Sequence, residues 1–162
     1  EQSDVFTDNE LSRLFPADGE QFDTAWERFG VGVMAYVALV SGARHGELRA
    51  LKWSDVKDDA NGSVLVITKT VQKDGTVGPT KNRESRITMI DHRALRLLTR
   101  LWDRSSQKDP DSFVFTANGE TPWWTNYTYK YFKRALDNAE IRKGNSRVLK
   151  FHSFRHTYVT RL

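Results

Sequence analysis

No cysteine occurs among the 162 residues, so the chain has no disulfide framework, no thiolate nucleophile and no cysteine-bound zinc or iron–sulfur site. That composition fits a reducing, intracellular setting, and a cytoplasmic location is expected. Long apolar runs are missing too: the longest, "VGVMAYVALV", covers ten residues from Val31 to Val40. It is too short to cross a bilayer and no basic signal-peptide region precedes it, so no membrane partner is expected. A Gly-rich phosphate cradle of the P-loop type and a nucleophile elbow are equally lacking, which argues against P-loop nucleotide chemistry and serine-triad hydrolysis. No internal repeat or low-complexity tract is evident.

What is present is enough to fold. With 38% hydrophobic residues, 12% aromatics and five tryptophans, the chain can bury a core without staples, and its length fits one domain rather than two. Residues 1–162 are therefore read as a single domain, and its two ends read as cut from something longer. Charge is unevenly spread. Residues 1–60 hold six Lys/Arg against twelve Asp/Glu, a balance of −6, whereas residues 61–162 hold nineteen against nine, a balance of +10. A basic side of this kind faces either solvent or a polyanion, because nucleic-acid binding rests first on Lys/Arg neutralising phosphates.

Helix signals dominate. In "FTDNEL", Thr7 is an N-cap, Glu10 completes a capping box and Phe6 is placed to staple onto Leu11, which predicts a first helix to about Phe15. "FDTAWERFGVGVMAYVALVSG" is apolar on most faces from Phe29 onward and reads as a buried central helix ended by Gly42. The period then changes: "SVLVITKTV" and "SRITMI" are β-branched and flank the turn-rich "KDGTVGPTKN", predicting a hairpin or small three-stranded antiparallel sheet. Asp91 caps "HRALRLLTRLWDR", with Leu95, Leu98 and Trp102 on one stripe; "FVFT" reads as a short strand and "TNYTYKYFKRALDNAEI" as a helix. The expected fold class is α+β, mostly α-helical, with a small antiparallel sheet inserted between helices.

Three stretches carry chemistry. In "SGARHGELRALKW", Arg44 follows a buried helix and a glycine stop, so its guanidinium is held near the interior while facing a surface, ready to fork onto phosphate oxygens. Glu47, three residues on, either orients Arg44 or caps the turn; an ordinary surface Arg–Glu pair would look the same. In "GPTKNRESRITMI", Lys81 sits at the edge of the expected hairpin with Arg83 and Arg86 behind it, either as a proton donor or as edge-strand decoration. In "HSFRH", His152 and Arg155 share a helix face. His152 and His156 have the i, i+4 spacing of a metal pair, but Arg155 between them repels a dication and no catalytic glutamate is present, so no metal and no cofactor is expected.

Together, "ARHGEL" after a hydrophobic helix, "LKWSDV" behind it, a lysine in a β-hairpin and "HSFRHTYVTRL" near the end resemble the catalytic domain of tyrosine recombinases, the phage-integrase family. The resemblance covers essentially the whole chain. It implies that Arg44 is the first catalytic arginine, Lys81 the hairpin lysine and His152 with Arg155 the His-x-x-Arg pair, with Glu47 and His156 in support. It further implies attack of a tyrosine hydroxyl on a DNA phosphodiester, giving a 3′-phosphotyrosyl bond and a free 5′-hydroxyl. Arg44 and Arg155 would clamp the non-bridging oxygens, each worth about 3–4 kcal/mol of barrier. Lys81 would protonate the leaving oxygen, and His152 would bond the phosphate or handle the tyrosine proton.

The family pattern places its nucleophilic tyrosine beyond the His-x-x-Arg motif. Tyr158 occupies a slot usually filled by a core aromatic, and Tyr36, Tyr127, Tyr129 and Tyr131 match no nucleophile position. The 162 residues alone are therefore expected to bind double-stranded DNA weakly as a monomer without cutting it, the longer parent acting as a tetramer on DNA. Lys69, Arg83, Lys130 and Arg147 are expected further DNA contacts, from charge and position. Two alternatives stay open: a type IB topoisomerase, with a similar residue set, and a DNA-binding module without catalysis.

Overall fold

The computed structural model describes residues 4–80, 84–141 and 147–162. Seven α-helices are formed there: α1 (Asp8–Leu14), α2 (Gly19–Trp26), α3 (Phe29–Ser41), α4 (His45–Arg49), α5 (His92–Arg104), α6 (Thr125–Asn138) and α7 (Ser153–Thr160), with a short 3-10 turn at Trp53–Asp55. Between α4 and α5 lie five short strands: β1 (Val56–Asp59), β2 (Gly62–Ile67), β3 (Lys69–Val71), β4 (Val77–Pro79) and β5 (Arg86–Ile90). Among the described residues no helix is long and apolar enough to cross a membrane.

The local signals behave as their chemistry requires. Glu10 N–H donates to Thr7 Oγ1 at 3.1 Å and Thr7 N–H to Glu10 Oε1 at 2.9 Å, closing the capping box on α1. Asp91 Oδ1 accepts from Ala94 N–H at 2.8 Å to start α5, and its Oδ2 accepts from Tyr36 Oη at 2.7 Å, which ties that cap to α3. Phe6 is buried, and its ring stacks on Phe154 of α7 at 4.7 Å.

Helix α3 is the axis of the molecule. Val31, Val33, Met34, Ala35, Val37 and Ala38 are all buried, and α2, α5, α6, α7 and β5 pack around them. Each fully buried Val or Met side chain there contributes about 1.5–3 kcal/mol relative to exposure. Gly42 ends the helix in the left-handed region at φ 71°, where a Cβ would lie 2.4 Å from the Tyr158 ring. Glycine is thus required there twice over, for backbone conformation and for space.

The expected helix from "FDTAWERF" into α3 is broken. Glu27 takes a positive φ of 62° and Arg28 is extended, so α2 and α3 are separate. Tertiary partners explain the break: Trp26 Nε1 donates to the Leu14 carbonyl at 2.7 Å, and the Glu27 carboxylate meets Arg134 and Asn138 of α6, each at 2.8 Å.

Antiparallel strands form a three-stranded sheet in the order β1-β2-β5 and a separate β3-β4 pair. Register sets Val64 opposite Met89 and Ile67 opposite Arg86. Leu65, Ile67 and Ile90 face the core, while Ile87 and Met89 face outward. "FVFT" does not become a strand. Phe113 and Thr116 make only isolated bridges, to Lys52 and Pro122, held by Val114 N–H donating to the Leu51 carbonyl and Trp123 N–H to the Phe115 carbonyl; Phe113 N–H turns instead to the Gly119 carbonyl, so the pairing does not run on.

Candidate active site

Arg44 is the N-cap of α4, with extended backbone (φ −78°, ψ 154°) immediately after the α3 stop. Its N–H donates to Glu47 Oε1 at 2.8 Å, so the glutamate caps the helix that the arginine opens. The Arg44 guanidinium lies 3.6 Å from Glu47 Oε2 and remains 49% exposed. The interior backbone thus holds it while its donors face solvent.

Glu47 is only 3% exposed, and its strongest partner comes from elsewhere in the chain. Arg86, at the start of β5, donates Nη1 to Oε2 and Nη2 to Oε1, both at 2.7 Å. Burial alone would raise this carboxyl, yet the Arg86 fork, the Arg44 N–H and the two guanidinium charges hold it below its ordinary value. The same bonds raise Arg86.

Helix α7 brings the second arginine to this place. Arg155 Nη1 donates to the carbonyl of Gly42, two residues before Arg44. Burial, then the charges of Arg44 and Arg86, lower its affinity for its proton, as expected where three guanidiniums converge around one carboxylate. Tyr158, one turn further along α7, lies with its ring against the Gly42 turn.

His152 opens α7. Burial and then the positive surroundings of His156, Arg155 and Arg44 push its pKa below 6.5, with Asp4 opposing them. Its ring meets that of His156 edge-on at 4.6 Å. His156 in turn contacts the Asp4 carboxylate through Nδ1. Among the described residues no group of three or more His, Cys, Asp or Glu side chains is arranged to hold a metal ion.

Arg44, Glu47, His152, Arg155 and His156 are thus neighbours, although more than a hundred residues separate the two motifs. Lys81 and Arg83 lie outside the described residues. The backbone on either side of them is linked by Thr80 Oγ1 donating to the Glu84 carbonyl at 2.7 Å, two residues before Arg86. Lys69 is exposed at the start of β3, beside Lys52 and Phe113, and Lys130 is exposed on α6 with its ammonium over the Tyr131 ring at 5.4 Å. Arg147 is held by the protein itself: it donates to both Glu10 oxygens at 2.6 and 2.8 Å and to the Val5 carbonyl at 3.0 Å.

Two participants were not singled out from the sequence, Arg86 as the partner of Glu47 and Asp4 as the partner of His156. For Arg86 a signal exists. In "RITMI" the alternation puts Arg86, Thr88 and Ile90 on one face, and a charge on a core-facing strand position requires a buried counter-charge. For Asp4 there is none, because a contact across 152 residues leaves no local pattern.

This arrangement of helices around a small sheet is similar to solved recombinase structures. XerA recombinase shares 21% identity at a TM-score of 0.66, over 97% of this chain and 49% of its own. The Tn1549 transposon integrase, solved in complex with circular intermediate DNA, shares 17% at a TM-score of 0.72, over 100% of this chain and 55% of its own. A lambda integrase dimer bound to a COC′ core site shares 17% at 0.65, over 97% and 50%. The chain spans about half the length of these proteins. No curated protein sequence matches it. At such low identities the structures establish the fold, but the sequence pattern of the phage integrase family itself runs through residues 4–162, and the chain belongs to that family.

Proposed function

We propose that this chain is the phosphate-gripping domain of a site-specific DNA recombinase, which breaks and rejoins strands through a 3′-phosphotyrosyl intermediate. The observation that carries this reading is the Gly42 turn, which holds Arg155 by its carbonyl and presents Arg44 two residues later. Two guanidiniums anchored on the same turn of backbone suit the two non-bridging oxygens of a phosphodiester. Because they are in place before the reaction, they stabilise the charge that develops there without reorganising.

The other groups follow from their protonation. His152, its pKa lowered, is neutral at pH 7 and able to accept a proton from an attacking hydroxyl or to bond a phosphate oxygen. Lys81 is assigned to protonate the leaving 5′ oxygen, on the strength of the family pattern alone. In the forward step the tyrosine oxygen bonds to phosphorus as the P–O5′ bond breaks, and the 5′ oxygen takes up a proton. Rejoining reverses it, so no nucleotide or metal is required for energy.

None of the five tyrosines in the 162 residues suits that attack. Tyr36 is bonded to Asp91, Tyr127 and Tyr131 pack on each other at 5.1 Å, Tyr129 lies against His45, and Tyr158 closes over Gly42. The chain by itself is therefore proposed to be one domain that binds double-stranded DNA as a monomer without cleaving it. The longer parent supplies the nucleophile and assembles as a tetramer on DNA.

A nicked suicide duplex offered to the full-length parent tests this reading. A covalent protein–DNA adduct is expected, and Arg44→Ala or Arg155→Ala should reduce it by roughly 10²–10³. No adduct from the intact parent would favour a binding module without catalysis, and supercoil relaxation without exchange between two sites would favour a topoisomerase.

A further inference from the structure

Glu47 has a dual relation to the two arginines beside it. Each of its oxygens accepts one arm of the Arg86 fork at 2.7 Å, whereas the Arg44 guanidinium stands 3.6 Å from Oε2, beyond hydrogen-bond range. Arg44 nevertheless belongs to the same turn, with its backbone N–H already on Glu47 Oε1, so a small side-chain rotation would bring its donors onto the carboxylate. A carboxylate that is 3% exposed must be paired by whichever cation can reach it.

We infer that Arg86 is a positioning residue that keeps Arg44 available: by satisfying the buried Glu47 on both oxygens, it prevents Arg44 from folding inward to do so, and leaves that guanidinium facing the phosphate of bound DNA. The inference rests on the reading of Arg44 as a phosphate ligand. Arg86 itself does not grip phosphate, since the fork that would do so is turned to Glu47. Two further bonds hold it in place. Thr88 Oγ1 donates to the Ser41 carbonyl at 2.9 Å, fixing β5 to the end of α3, and Thr80 Oγ1 bonds the Glu84 carbonyl on the other side. Only arginine can serve, because a lysine ammonium is a point charge and cannot cover two oxygens in one plane.

This differs from a merely stabilising ion pair in one respect. If Arg86 only held the fold together, losing it would leave Arg44 exchange unchanged, and removing Glu47 as well would restore stability alone. If it holds Arg44 out, converting Glu47 to glutamine removes the buried charge that draws Arg44 in, while the glutamine carbonyl still caps the Arg44 N–H.

The test is side-chain 15N NMR of the 162-residue chain, following hydrogen exchange at Arg44 Nε–H, alongside fluorescence-anisotropy titration with a short DNA duplex. In Arg86→Met, exchange at Arg44 should slow by about tenfold, the protection of one charge-assisted hydrogen bond, and DNA affinity should fall by a similar factor. In the double variant Arg86→Met/Glu47→Gln both should return to within about threefold of Glu47→Gln alone. Arg86→Lys, which keeps a counter-charge in the fold, should shift both readouts in the same direction and serves if the methionine variant does not fold. Unchanged Arg44 exchange in the single variants, or a double variant that binds no better than Arg86→Met, overturns the inference. If Arg44→Ala binds DNA as well as the wild type, the reading beneath it fails as well.

Discussion

The Arg155 guanidinium donates to the carbonyl of Gly42, and Gly42 is at once the stop of α3, the contact surface of Tyr158 and the residue two before Arg44. One turn of backbone thereby sets the spacing between two arginines from opposite ends of the sequence. Substitution at Gly42 should show this coupling. Gly42→Ala puts a Cβ 2.4 Å from the Tyr158 ring and leaves an L-residue at φ 71°. A loss of about 1–3 kcal/mol is expected in denaturant unfolding. DNA binding should weaken further than stability alone explains, because the Arg155 acceptor shifts with the turn.

Arg147 should affect stability more than DNA binding. Its bonds to Glu10 and the Val5 carbonyl join the segment before α7 to the N-terminal end of the chain, and Glu10 is 7% exposed. Arg147→Ala should cost about 1–3 kcal/mol by leaving that carboxylate unpaired. If Arg147 is spent on Glu10 rather than on DNA, the slope of log affinity against log salt in a DNA titration should stay as in the wild type.

Acid should destabilise the chain through two glutamates. The Arg147 bonds hold Glu10 below its ordinary 4.5, and Glu47 is likewise lowered, its partners outweighing burial. A carboxyl lowered in the folded state stabilises above its unfolded pKa, and that stability disappears as pH falls through the folded value. Thermal melts below pH 4.5 should therefore fall steeply, and less steeply in Glu47→Gln.

His45 acts over a different range. Its Nε2 is shut off without a partner, its ring lies between Tyr129 and Phe151, and burial followed by the charge of Arg49 lowers it to about 3. Between its unfolded 6.5 and about 3 the unfolded chain binds a proton that the folded chain refuses, so stability falls as pH falls. The slope approaches about 1.4 kcal/mol per pH unit, and His45→Phe should flatten the stability profile between pH 6.5 and 4.5.

The features legible in the sequence were those whose physics is local. Thr7 and Glu10, Asp91, and Gly42 each satisfy or end a helix within four residues, so the pattern alone located them. The break at Glu27 was not legible, because the partners that stabilise it, Arg134 and Asn138, lie on α6 more than a hundred residues away. The site divides along the same line. Arg44 with Glu47 and His152 with Arg155 are visible as spaced pairs, whereas Arg86, 39 residues from Glu47, joins them only once the sheet sets its register.

If Arg44 and Arg155 hold one phosphate between them, a double-mutant cycle on DNA binding by this chain will register it. Arg44→Ala and Arg155→Ala should each weaken binding, and the double variant should lose less than the sum, with a coupling of at least about 0.5 kcal/mol. Losses that add within about 0.3 kcal/mol, or single variants that bind as the wild type does, would contradict it.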